Sequence, residues 1–139
     1  MASNAKYQLA QQVGFILRRA NQRHLTIFAN HIPAVTPTQF AAIAKLCELG
    51  DLSQSELGRQ TAMDGATIKG VVDRLKKRNF VTTYRDNDDQ RRLFVSATTE
   101  GRELFKNNIA AAKAISAQTL QNLSEKENET FLELLNKIT

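Results

Sequence analysis

Residues 53–101 read SQSELGRQTAMDGATIKGVVDRLKKRNFVTTYRDNDDQRRLFVSATTEG, from Ser53 to Gly101, and the order of patterns within them decides the fold. Ser53-Gln54-Ser55-Glu56 has the spacing of a capping box, in which Ser53 accepts from the free amide of Glu56 while the Glu56 carboxylate reaches back. A helix therefore opens here, carries Leu57 on its apolar side and fails near Thr61-Ala62-Met63. Asp64 then caps a second helix, on which Ile68, Val71, Val72 and Leu75 recur at three- and four-residue spacing. That stripe is bound for a core and leaves Gly65, Ala66, Lys69, Gly70 and Asp73 on the other side.

After Arg78-Asn79 the period changes. Phe80-Val81-Thr82-Thr83-Tyr84 and Leu93-Phe94-Val95-Ser96 are β-prone runs around a polar, turn-rich segment, which predicts a hairpin. Its tip carries Arg85, Arg91 and Arg92, partly offset by Asp86, Asp88 and Asp89, with Asp89 expected to orient Arg91 through a charge-assisted pair. A short-turn helix pair followed by an arginine-tipped ribbon is the layout of a DNA reader. The first half of the second helix enters the major groove, where small residues permit close approach and Thr67 and Lys69 reach base edges or phosphates. The ribbon lies along the backbone and presents a guanidinium to the adjacent minor groove.

At this point the chain resembles the MarR family of winged helix-turn-helix regulators. The resemblance is carried by Leu52-Ser53-Gln54-Ser55-Glu56-Leu57, by Asp73-Arg74-Leu75 with Arg78-Asn79-Phe80-Val81, and by Asp89-Gln90-Arg91 continuing through Val95-Ser96-Ala97-Thr98-Thr99-Glu100-Gly101. Thr36-Pro37-Thr38-Gln39-Phe40 is similar to that family too. The resemblance implies that Arg91 probes the minor groove, that Asp89 positions it, and that Ala66, Thr67 and Lys69 face the major groove. The candidate DNA contacts are thus Ser53, Ser55, Gly65, Ala66, Thr67, Lys69, Arg74, Arg85, Asp89, Arg91 and Arg92. Gly65 and Gly70 depart from the family pattern, which often has basic or polar side chains there, and Asn79 stands where the family usually has Gly; Asn still suits a left-handed helix end.

A winged helix needs only about half of 139 residues. The excess lies at both ends. From about Lys6 to His31, Leu9, Val13, Ile16, Leu17, Ala20, Ile27 and Phe28 recur at helical spacing. After Gly101 a long helix carries Leu104, Phe105, Ile109, Ala112 and Ile115, and Ser124-Glu125-Lys126-Glu127 is a capping box opening a last helix with Phe131, Leu134, Leu135 and Ile138. The expected fold is mainly α with a small β-hairpin wing, the winged helix-turn-helix occupying 36–97 of a single MarR-like domain. The terminal helices, 5–32 and 99–138, form a dimerisation domain. These amphipathic helices can bury their stripes against a second copy, giving a homodimer on a palindromic operator, or by folding back within a monomer.

Charge agrees with a duplex DNA partner. The net charge is +5, and residues 64–92 hold eight lysines and arginines against five aspartates. No stretch is long and apolar enough to span a membrane and the N-terminus lacks an apolar signal core, so a cytoplasmic location is expected. Cys47, the single cysteine, sits among apolar neighbours without a His or second Cys, which favours packing; a redox-responsive regulator through Cys47 is the alternative. His24 and His31 lack a third ligand at fitting spacing, so neither metal nor cofactor is expected. No catalytic set of residues appears, which excludes an enzyme; a winged-helix protein-interaction module is the remaining rival.

Family members often bind small aromatic carboxylic acids in a crevice between the dimer helices and the reading domain. The resemblance makes Arg18, His24, Phe28 and Phe40 the candidate ligand residues, an apolar slot with a few donors. Gln12 to Arg19 and Ala62 to Leu75 are similar to a MarR subgroup that includes regulators of nicotinate and related aromatic-acid breakdown. That implies a hydroxylated pyridine or benzene carboxylate as effector, and a repressor released by it.

Overall fold

The computed structural model describes residues 6–139. In chain order it has a 3-10 helix (Leu9–Gln11), α1 (Val13–His31), α2 (Pro37–Leu49), β1 (Leu52–Ser53), α3 (Gln54–Gln60), α4 (Gly65–Lys77), β2 (Val81–Arg85), β3 (Leu93–Ala97), α5 (Thr99–Thr119) and α6 (Glu125–Lys137). The fold is thus mainly helical with a small antiparallel sheet. Two compact units are distinguished: a central one, Ile32–Ala111, and a terminal one, whose described residues run to His31 and resume at Ala112. The expected terminal range 5–32 begins one residue outside the described ones.

In the central unit every helix start has a local cause. Thr36 and Gln39 close a capping box at α2, with Pro37 as its first residue. Ser53 Oγ accepts from the Glu56 amide at 3.1 Å, and Asp64 Oδ1 from the Thr67 amide at 2.8 Å. One detail differs from expectation: the Glu56 carboxylate does not complete its box but takes Arg59 Nε at 2.7 Å and Gln60 Nε2 at 3.0 Å. Two cationic or amide donors one turn ahead compete successfully with a single backbone amide.

Helices α3 and α4 end alike. After α3, Ala62 at φ +56° lets the Met63 amide reach back to the Gly58 carbonyl at 2.8 Å; after α4, Asn79 at φ +64° lets the Phe80 amide reach the Leu75 carbonyl at 3.0 Å. Both are Schellman closures, and they turn the chain sharply at the C-terminal end of each helix. Gly58 permits that pair to close up, since a Cβ there would meet the Met63 carbonyl oxygen at 3.0 Å and Ile68 Cγ2 at 3.2 Å.

The sheet has the order β1-β3-β2, all antiparallel. β2 and β3 are the hairpin, with Val81 opposite Ala97 and Arg85 opposite Leu93. A third strand, absent from the sequence reading, pairs Leu52 with Val95 and Ser53 with Phe94. Two residues are too few to show a period of two. Ala42, Ile43 and Leu46 of α2, Leu57 of α3, Ile68, Val71, Val72 and Leu75 of α4, and Val81, Val95 and Ala97 of the sheet form one buried cluster. Each large side chain so buried contributes about 1.5–3 kcal/mol against the ordering of the chain. The α4 stripe is therefore fastened, and its other side is left outward.

In the terminal unit, α1 starts at Val13, later than the apolar spacing suggests, because Gln8 and Gln12 are extended on either side of the 3-10 helix. Arg23 donates to the last carbonyls of α5, those of Gln118 at 2.9 Å, which also takes the Gln121 amide at 3.3 Å, and of Thr119. His24 Nδ1 lies 3.0 Å from Thr119 Oγ1, and His31 Nε2 lies 2.8 Å from Gln118 Oε1. Ser124 and Glu127 close the capping box of α6. Ile27, Phe28 and Ile115 are buried, whereas Val13, Ile16, Leu17 and Leu25 of α1 and Phe131, Leu132 and Leu134 of α6 stand exposed in the single chain. No helix among the described residues is long and apolar enough to cross a membrane.

Candidate nucleic-acid interface

The outward side of α4 begins at its capped start. Gly65, Ala66, Thr67, Lys69 and Arg74 are exposed there, and a Cβ on half-buried Gly70 would meet Arg74 Nη1 at 3.2 Å, so the guanidinium lies back over that glycine. Lys69 Nζ pairs with Asp73 Oδ2 at 2.9 Å, and this contact holds the Asp73 carboxyl below its ordinary range. The Thr67 amide does the same to Asp64, so the cap is charged whenever DNA could be bound. Ser55 is exposed on the first turn of α3, and Ser53 is half-buried as its cap.

The hairpin tip is an ordered turn. The Asp86 amide donates to the Arg92 carbonyl and the Arg92 amide to the Asp89 carbonyl, both at 3.0 Å. Asp86 Oδ1 accepts from the Asp88 amide at 3.0 Å. Asp89 Oδ1 accepts from the Arg91 amide at 3.0 Å and from Arg91 Nε at 3.2 Å. Asp86 and Asp89 therefore build the turn as well as temper its charge. The two neighbouring arginines differ: the Arg91 side chain is 92% exposed, whereas Arg92 lies 5.0 Å over the Phe94 ring and 3.4 Å from Asp86.

Between the start of α3, the outer side of α4 and this wing is a cleft of about 540 Å³. It gathers Ser53, Ser55, Lys69, Arg85, Arg91 and Arg92 from the sequence-predicted set, together with Gln54, Arg59, Asp73 and Leu93. Five cations against one acid, with hydroxyl donors at one wall, suit a phosphodiester backbone. The exposed helix pairs of Lys69 with Asp73 and Arg59 with Glu56 contribute little individually, so a polyanion can displace them. Arg59 was missed because its spacing from Glu56 reads as an ordinary helix pair, and only the tertiary fold turns it toward the wing.

The sequence-predicted ligand residues are placed as follows. Arg18 is exposed, His24 half-buried on its Thr119 contact and Phe28 buried, all on α1 in the terminal unit. Phe40 belongs to α2 in the central unit, its ring 5.7 Å from that of Phe105. Cys47 is half-buried; burial pushes its thiol above the ordinary value, with Arg102 pulling weakly the other way, so the reactive thiolate is scarce at neutral pH. No group of three or more His, Cys, Asp or Glu side chains placed to hold a metal occurs among the described residues.

Comparison with known proteins agrees with this geometry. The MarR family profile matches residues 35–93. The HTH-type transcriptional repressor NicR of Pseudomonas putida is 39% identical over 137 residues, 97% of this chain and 87% of that protein. The structure of a probable transcriptional regulator from Pseudomonas aeruginosa matches with a TM-score of 0.91 at 50% identity, covering 95% of this chain and 100% of that one. Bordetella bronchiseptica BpsR, whose DNA binding is regulated by 6-hydroxynicotinic acid, matches with a TM-score of 0.91 at 35% identity, covering 96% and 97%. A capped reading helix, an arginine-tipped wing and relatives spanning nearly the whole chain place this protein in the MarR family, as a regulator of transcription and not an enzyme.

Proposed function

We propose that this chain is a repressor that binds a palindromic operator as a homodimer and is released by a small aromatic carboxylic acid of the hydroxynicotinate type. The observation that carries the DNA-binding part is the cationic cleft beside the exposed start of α4. Thr67 and Lys69 read base edges, Gly65 and Ala66 allow close approach, and Arg91 enters the minor groove with Asp89 setting its direction. Ser53, Ser55, Arg74, Arg85 and Arg92 contact the backbone.

The dimer is supported by apolar residues that the single chain leaves exposed on α1 and α6. The effector class is supported by likeness to NicR and to BpsR. Arg18, His24, Phe28 and Phe40 are the residues proposed to meet it, a carboxylate partner, a polar ring and two aromatic walls. Release is a population shift, the acid binding better to a dimer whose two α4 helices are wrongly spaced for successive grooves.

The test is a gel-shift titration on genomic fragments bound by the protein, repeated with Arg91→Ala and with 6-hydroxynicotinic acid. Arg91→Ala is expected to weaken operator binding about ten- to hundred-fold at physiological salt with the dimer intact. The acid is expected to release the operator. Unchanged affinity in the variant contradicts the wing assignment, and retention of DNA at millimolar acid contradicts the effector class.

A further inference from the structure

The outer half of the wing lacks a third strand. β1 pairs only with Val95 and Phe94, so from Leu93 to the tip the ribbon is two-stranded, an arrangement that is marginal without support. Its support lies on the side of the sheet opposite the core. Tyr84 and Phe94 are directly paired across β2 and β3, and their rings stack with centroids 5.5 Å apart and planes 11° apart. On one side of this pair the Arg92 guanidinium lies 5.0 Å over Phe94; on the other, Tyr84 Oη donates to Asp51 Oδ2 at 2.7 Å.

Asp51 immediately precedes β1, and β1 and β2 flank β3, so the Tyr84 side chain straps one outer strand to the chain entering the other. The file Asp51, Tyr84, Phe94, Arg92 and Asp86 runs from the body of the domain to the turn that carries Arg91. We propose that Tyr84 and Asp51 are positioning residues for DNA binding, setting the pitch of the wing so that Arg91 meets the minor groove while α4 lies in the major groove. This rests on the reading of Arg91 given above. Arg92, stacked and paired within the file, transmits the placement to its neighbour. The hydrogen bond to the Asp51 carboxylate also holds the Tyr84 phenol above its ordinary value, as a donated proton requires.

The test is a double-mutant cycle on a duplex selected by the wild-type protein from a random pool, at one fixed salt concentration. Tyr84→Phe keeps the ring stack and removes only the strap; it and Asp51→Ala are each expected to weaken binding about three- to ten-fold, with thermal stability nearly unchanged. In the Arg91→Ala background each change is expected to cost clearly less affinity than it does in the wild type, the remainder coming from Arg85 and Arg92 on the same wing, a non-additivity that a purely structural role would not produce. Wild-type affinity in Tyr84→Phe, or a full further loss in the double variant, overturns the proposal while a weakened Arg91→Ala leaves the wing reading standing. Wild-type affinity in Arg91→Ala overturns both.

Discussion

Ala62 adopts a left-handed conformation, φ +56°, in the turn between α3 and α4, where a Cβ crowds the backbone. The Schellman closure behind it needs that conformation, so the helix pair tolerates a local cost. Ala62→Gly is expected to raise stability by about 0.5–1 kcal/mol, read from the urea midpoint. Asp64 behaves differently because its contribution is charged. The Thr67 amide lowers its carboxyl pKa below the ordinary 3.8, so its stabilisation is complete above that value and is lost as pH falls through the lower, folded value. Asp64→Ala is expected to lower Tm by about 3 °C at pH 7. That difference should shrink in melts at successively lower pH below 3.8, whereas Asp64→Asn, which still caps, should lose little at any pH.

Element by element, the reading helix is held from one side only. Ile68, Val71, Val72 and Leu75 anchor it, and Thr67 stands exposed one turn from its start. Truncating Thr67 removes nothing from the core. Thr67→Ala is expected to reduce the ratio of operator to random-duplex affinity about ten-fold while random-duplex binding holds, measured by competition. An equal loss on both duplexes would assign Thr67 to the backbone. The long helix α5 starts against the end of the reading helix: the Thr98 amide donates to the Phe80 carbonyl at 3.1 Å, Thr98 Oγ1 to the Asn79 carbonyl at 2.7 Å, and a Cβ at Gly101 would overlap the Phe80 oxygen. Glycine is required at position 101 by that close approach.

For the whole molecule the decisive surface is apolar. Ile16 and Leu134 are 51% and 54% exposed in the single chain, and Val13 and Leu17 of α1 and Phe131 and Leu132 of α6 are exposed beside them. Covering them with a second copy fits the proposed binding of a palindromic operator. Ile16→Asp with Leu134→Asp is expected to give one-chain species at micromolar concentration by sedimentation. Operator affinity should fall about hundred-fold, since linked binding to two half-sites is lost while each reading helix is intact. A dimer surviving both changes would place the interface elsewhere.

Much of this was legible along the chain because it depends on near neighbours. Caps at Ser53, Asp64 and Ser124, the left-handed stop at Asn79 and the apolar spacing of α4 act within one or two helical turns, so helix order and the hairpin follow from local patterns. Contacts across longer separations were not legible. β1 is two residues whose pairing partner lies far along the chain, Arg59 joins the wing only when α3 is packed, and Tyr84 finds Asp51 across 33 positions of sequence. Glu56 marks the border between the two cases: its spacing suits the cap, but Arg59 and Gln60 present stronger or better-placed donors once the helix exists. Which donors reach a given carboxylate or phenol is decided by where folding sets their backbones, and no periodicity records that.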